Sequence, residues 1–83
     1  MVKYFTANEW DQDIHLHNET TQRGIFILQD EHQVTEPIIQ VFEKFGDDQY
    51  NLVYEAYRLN VSITSTKIVL FTPAPFDGKV VIK

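Results

Sequence analysis

Cysteine is absent from this 83-residue chain. That excludes disulfides, thiolate nucleophiles and any zinc or iron–sulfur site built on cysteine. Glycine is scarce, at positions 24, 46 and 78 only, so no Gly-rich loop exists to cradle a phosphate. Positive charge is thin and scattered over Lys3, Arg23, Lys44, Arg58, Lys67, Lys79 and Lys83. No stripe of these could track a phosphate backbone, so nucleic acid is not an expected partner. No apolar run approaches the roughly 20 residues of a membrane span. The opening MVKYFTANEW lacks the apolar stretch of a signal peptide.

What the chain does contain is core material. Apolar residues make up 43% of it, with six Phe, four Tyr and one Trp spread from Tyr4 to Ile82. That distribution predicts one domain over residues 1–83 without a long disordered tail. A chain this short buries only about 60–65% of its unfolded surface, so its stability is expected to be modest. With no disulfide or evident metal staple, help from a partner subunit is expected. Twelve acidic residues against seven basic ones give a net charge of −5, an ordinary solubility charge.

The periodicity is mostly that of strands. Residues 2–6 form a β-capable run, and 7–13 read as a turn or single helical turn around Trp10. Ile14-His15-Leu16-His17 alternates, with both histidines opposite the apolar pair. Gly24 opens Ile25-Phe26-Ile27-Leu28, apolar on both faces and expected to be a central strand. Residues 38–45, IIQVFEKF, fit a helical stripe capped by Gly46 or a strand with Ile39 and Val41 opposite Phe42. The strand is favoured, because its neighbours read as β. Residues 50–58 carry the same ambiguity, and tyrosine-rich alternation favours a strand with a partly wet face. Val61-Ser62-Ile63-Thr64 alternates strictly, and Lys67–Thr72 is a second strong apolar strand. Pro73 to Gly78 reads as a connection, which predicts a β-hairpin of 67–72 with 79–82. The fold expected is mainly β: a small single-domain β-sandwich or partly open barrel, with room for one short helix within 37–58.

Candidate chemistry is sparse. His15 and His17 could face the same way on a strand and share a metal, with Asp11, Asp13 or His32 as further ligands. A solvent-facing histidine pair is the favoured reading, and no metal or cofactor is expected. Asp47-Asp48 beside Gly46 is turn chemistry, and Ser62 to Thr66 lack an exposed-nucleophile motif. The glycosylation patterns at Asn18 and Asn60 read as chance matches. No catalytic constellation emerges, so the chain is expected to be non-enzymatic. Tyr50, Tyr54 and Tyr57 are candidates for an aromatic interaction surface or for core-capping residues. Trp10 is a candidate for the same surface or for an anchor over the core.

The C-terminal stretch SITSTKIVLFTPAPFDGKVVIK, residues 62–83, resembles the closing hairpin of small β-rich domains in tailed-phage virion proteins, notably tail-fibre and baseplate components. Trp10 followed by Ile14-His15-Leu16-His17-Asn18 is similar to the segment that precedes the first core strand there. The resemblance implies a virion structural or attachment module with no catalytic residues. Its partners would be other virion proteins, copies of itself or the host surface. The alternative is a small acidic inhibitor of a host enzyme in the host cytoplasm. Clustering of Asp11, Asp13, Glu19, Asp47 and Asp48 on one face would favour that alternative.

Overall fold

Alternating side chains divide this chain between two antiparallel sheets that share one apolar interior. The computed structural model describes residues 1–15, 21–53 and 59–83. The first sheet contains, in spatial order, β1 (Val2–Phe5), β8 (Gly78–Ile82), β4 (Ile39–Gly46) and β5 (Gln49–Leu52). The second contains β2 (Gln12–Ile14), β3 (Gln22–Leu28), β7 (Lys67–Thr72) and β6 (Asn60–Ile63). A 3-10 turn at Ala7–Glu9 carries the chain from β1 to β2. The result is a small β-sandwich.

Register decides which residues face inward. Ile25 stands opposite Leu70 and Ile27 opposite Ile68 in the second sheet. Val80 stands opposite Val41 and Ile82 opposite Ile39 in the first. These eight side chains are buried in one cluster with Phe5, Trp10, Val53 and Leu59. Directly opposed residues share a sheet face, so a one-residue slip in any pair would turn the set into solvent.

The expected central strand is central: β3 pairs with β2 on one side and β7 on the other. Of residues 38–45, all but Ile38 are strand, with Ile39 and Val41 buried and Phe42 on the other face. The expected run at 25–28 is not covered on both faces, however. Leu28 is exposed and Phe26 half-buried, with the Lys67 ammonium 4.5 Å from the Phe26 ring centre. β2 ends at Ile14, and His15 is not part of it. Leu16 and His17 lie outside the described residues.

A short α-helix, α1, forms at Gln29–His32, ahead of the 37–58 window; within that window the described residues are largely β4 and β5, and residues 54–58 lie outside the described part of the chain. Gln33 closes α1 in the left-handed region, at φ 56°, and its N–H donates to the Gln29 carbonyl at 2.7 Å. A correction concerns the C-terminus. β7 and β8 belong to different sheets and form no hairpin. Gly78 does not adopt positive φ, so Asp77-Gly78 makes no two-residue hairpin turn. Pro73 and Pro75 have no N–H to give a ladder. Phe76 instead packs its ring 5.1 Å from Trp10 and 5.6 Å from Phe5. Filling the end of the sandwich with that ring outweighs local turn chemistry, and the connection crosses between sheets.

His32 holds the turn after α1. Its Nδ1 accepts the Val34 N–H at 3.1 Å, so the neutral ring carries its proton on Nε2. The residue is buried, and Nε2 has no hydrogen-bond partner among the described residues. His32→Ala leaves the Val34 N–H without its acceptor and is expected to cost about 1–3 kcal/mol. Urea unfolding should show a lower midpoint with unchanged slope. An unchanged midpoint would mean that the contact contributes nothing.

Candidate binding face

The outward side of the first sheet concentrates aromatic side chains in register. Tyr4 of β1 stands opposite Lys79 of β8, Lys79 opposite Phe42 of β4, and Phe42 opposite Leu52 of β5. One row therefore crosses all four strands. Tyr50 stands opposite Lys44 beside that row, and Val2 opposite Val81 on the same face. Cross-strand neighbours on one face lie about 4.5–5.5 Å apart, close enough to form a continuous surface.

Lys79 organises the centre of the face. Its ammonium lies 4.4 Å from the Tyr50 ring centre and 5.2 Å from that of Phe42. Both distances fall within cation–π range. The Tyr4 and Tyr50 rings are 6.2 Å apart and tilted by 58°. Tyr4 is 62% exposed, Leu52 52% and Val2 51%, while Phe42 and Tyr50 are half-buried. The charged residues at outward register positions of the four strands are Lys44 and Lys79, with no carboxylate among them. On a chain with net charge −5, this is a local reversal of sign.

A concavity of about 210 Å³ opens at one end of the face, among Tyr4, Thr6, Glu9, Lys44, Tyr50 and Asp77. Its two carboxylates are fixed by the backbone. Glu9 Oε2 accepts the Thr6 N–H at 2.6 Å, and Asp77 Oδ1 accepts the Ala7 N–H at 2.7 Å. The Asp77 carbonyl also accepts the Lys44 N–H at 2.8 Å. An apolar groove of about 430 Å³ opens between the two sheets, where Ile39, Val41 and Val53 meet Leu59, Val61 and Ile63. Its lining runs up to both ends of residues 54–58, which are outside the described part of the chain.

The sequence-predicted residues divide as follows. Tyr50 belongs to the face. Tyr54 and Tyr57 lie outside the described residues. Trp10 is not a surface residue: it is 2% exposed, stacked edge-on to Phe5 at 5.2 Å, and its Nε1–H donates to the Phe76 carbonyl at 2.9 Å. It is the anchor over the core. Tyr4, Phe42, Leu52 and Lys79 were missed as surface residues. Their signal was present in the alternation of Tyr4 with Phe5 and of Lys79 with Val80, but which strands adjoin could not be read from it.

His15 is exposed, with its Nδ1 3.3 Å from the Thr21 hydroxyl, and His17 lies outside the described residues. Among the described residues, no group of three or more His, Asp or Glu side chains is placed to hold a metal ion. Of the acids named above, Glu19 lies outside the described residues, and the other four do not gather. Asp11 and Asp13 lie at and beside edge strand β2, whereas Asp47 and Asp48 form the β4–β5 turn of the other sheet. Asp13 is engaged with Arg23 across the β2–β3 pair. Among the described residues, no helix is long and apolar enough to cross a membrane. Comparison with protein-family models, with curated proteins and with solved structures finds no match to this chain.

Proposed function

We propose that this chain is a non-enzymatic module of a tailed-phage virion that works by contact. Its working surface is the outward face of the first sheet, and its partners are other virion proteins, copies of itself or the host surface. The observation that carries the reading is the outward-facing row of Tyr4, Lys79, Phe42 and Leu52 across four strands, exposed at Tyr4 and Leu52 and half-buried between them. A contiguous apolar and aromatic surface of this kind marks an interaction site more often than an accident of composition. The virion setting comes from the resemblance of residues 62–83, although the last two strands of that stretch join separate sheets. Clustering of Asp11, Asp13, Glu19, Asp47 and Asp48 would favour the inhibitor reading; Asp11 and Asp13 lie apart from Asp47 and Asp48, which disfavours it, and Glu19 lies outside the described residues.

Leu52→Asp tests the surface. Leu52 is exposed at the end of the row, so the substitution should leave the fold intact. Size-exclusion chromatography with light scattering should show the unmodified chain associating with itself or with purified virion proteins. The variant should lose at least tenfold in affinity, because it places a carboxylate in an apolar contact. A chain that stays monomeric and binds neither virion proteins nor host cells would overturn the reading.

A further inference from the structure

We infer that the concavity at the end of this face is a subsite for one neutral hexopyranose unit, such as the terminal sugar of a surface glycan. The inference rests on the contact-module reading and names the ligand class for one end of the same face.

The lining combines the two kinds of group that a pyranose requires. A pyranose ring has an apolar C–H side and a rim of hydroxyls, each able to donate and to accept. The electron-rich faces of tyrosine rings attract the weakly positive C–H side. Tyr4, 62% exposed, supplies the main ring, and the half-buried Tyr50, which also holds Lys79 against its ring, is tilted from it by 58° so that the two form a corner rather than a flat wall. Carboxylates and a lysine serve the hydroxyls, as acceptors and donor respectively. Glu9 and Asp77 are already oriented, since each spends one oxygen on a backbone N–H of the 6–7 segment. Among the described residues, Glu9 Oε1 and Asp77 Oδ2 have no hydrogen-bond partner, so both remain available as acceptors. Lys44 adds an ammonium donor, and Thr6 adds a hydroxyl.

Charge narrows the choice of ligand. Glu9 and Asp77 are balanced by Lys44 in the lining and Lys79 against the Tyr50 ring, so the site carries no net charge, and the two carboxylates in the lining disfavour uronates, sialic acids and phosphates. A quaternary ammonium group would suit the tyrosines but would meet the Lys44 ammonium in the lining and Lys79 against the Tyr50 ring. The volume, about 210 Å³, suits one ring rather than an extended peptide strand. A neutral sugar satisfies all three constraints.

The test is a nuclear magnetic resonance titration of the 15N-labelled chain. The probes are the methyl glycosides of glucose, galactose and mannose and of their N-acetylated amino sugars, with glucuronic acid and choline as charged controls. At least one neutral glycoside should shift the amides of Tyr4, Glu9, Lys44, Tyr50 and Gly78 with a millimolar Kd. Tyr4→Ala, at an exposed position, should weaken that binding about tenfold by removing one stacking ring. Glu9→Ala should weaken it independently. The inference is overturned if no neutral glycoside shifts those amides, if the shifts survive Tyr4→Ala unchanged, or if a charged control binds more tightly. Leu52→Asp keeps this failure separate from that of the contact-module reading. If Leu52→Asp associates as well as the parent while a neutral glycoside still binds, the assembly surface fails alone; if Leu52→Asp abolishes association but no neutral glycoside binds the parent, the subsite fails alone.

Discussion

Trp10→Ala should lower the melting temperature by roughly 20 °C, because truncating a buried Trp costs about 3–5 kcal/mol and a domain of this size loses about 4–8 °C per kcal/mol. Trp10 is buried at the closed end of the sandwich, where β1, the 3-10 turn and the 73–77 crossing converge. Phe5 stands edge-on to it at 5.2 Å and Phe76 packs at 5.1 Å. Its indole N–H donates to the Phe76 carbonyl at 2.9 Å, and its own carbonyl accepts the Arg23 Nε–H at 2.9 Å. Alanine would leave a cavity against two aromatic rings and strip the Phe76 carbonyl of its donor. Trp10→Phe separates the two effects: it keeps most of the ring packing and should cost only about 1–2 kcal/mol for the lost hydrogen bond and shape mismatch. Differential scanning calorimetry measures both. A Trp10→Ala protein melting within a few degrees of the parent would show that this corner is not packed as described.

Gly78→Ala should be nearly as damaging, for a steric rather than a hydrophobic reason. Gly78 starts β8 opposite Phe5 on one side and Glu43 on the other. A Cβ placed there would collide with the Phe42 carbonyl oxygen and crowd the Phe5 ring at 3.1 Å. Phe42 belongs to the adjacent strand and cannot retreat without breaking the β4–β8 ladder. The expected loss is about 3–4 kcal/mol, at the upper end for overpacking. Guanidinium unfolding should show a much lower midpoint. The distortion should also reach the binding face, because Lys79 follows directly and pairs with Tyr4 and Phe42. A stable Gly78→Ala variant with an unshifted midpoint would contradict the packing of β8 against β4. Both losses are large against the 5–15 kcal/mol that holds a typical domain folded.

The same two residues mark where sequence reading succeeded and where it stopped. Gly78 was legible as a backbone position with a special requirement, but the requirement was read as a turn and is in fact close approach of a neighbouring strand. Trp10 was legible as an anchor over the core or a surface residue, and packing against Phe5 and Phe76 selects the first. Phe76 belongs to a segment whose Pro and Asp-Gly composition suggested a local hairpin. Composition reports the local preference for a turn and carries no information about an aromatic void at the far end of the chain.

The binding face was legible only in part. Tyr50 was named from its tyrosine-rich alternation. Tyr4, Phe42 and Leu52 each alternate with buried neighbours, so their outward orientation follows from period-two side-chain geometry. Their assembly into one surface does not, because they sit on strands separated by up to about 50 positions and joined through β8, the last strand of the chain. The concavity is a further step removed, since Glu9 and Asp77 meet only through backbone bonds to the 6–7 segment.

The amino-acid order alone determined the β class, the inward side of most strands and the lack of cysteine chemistry. Those properties depend on residue type and on side-chain alternation between near neighbours, where the chain has few geometric choices. Tertiary structure alone decided the sheet order 1-8-4-5 and 2-3-7-6, the crossing at 73–77 and the meeting of Tyr4, Tyr50, Glu9 and Asp77. Strand partners are selected by how completely the whole set of apolar faces can be covered at once, and that is a property of no single segment.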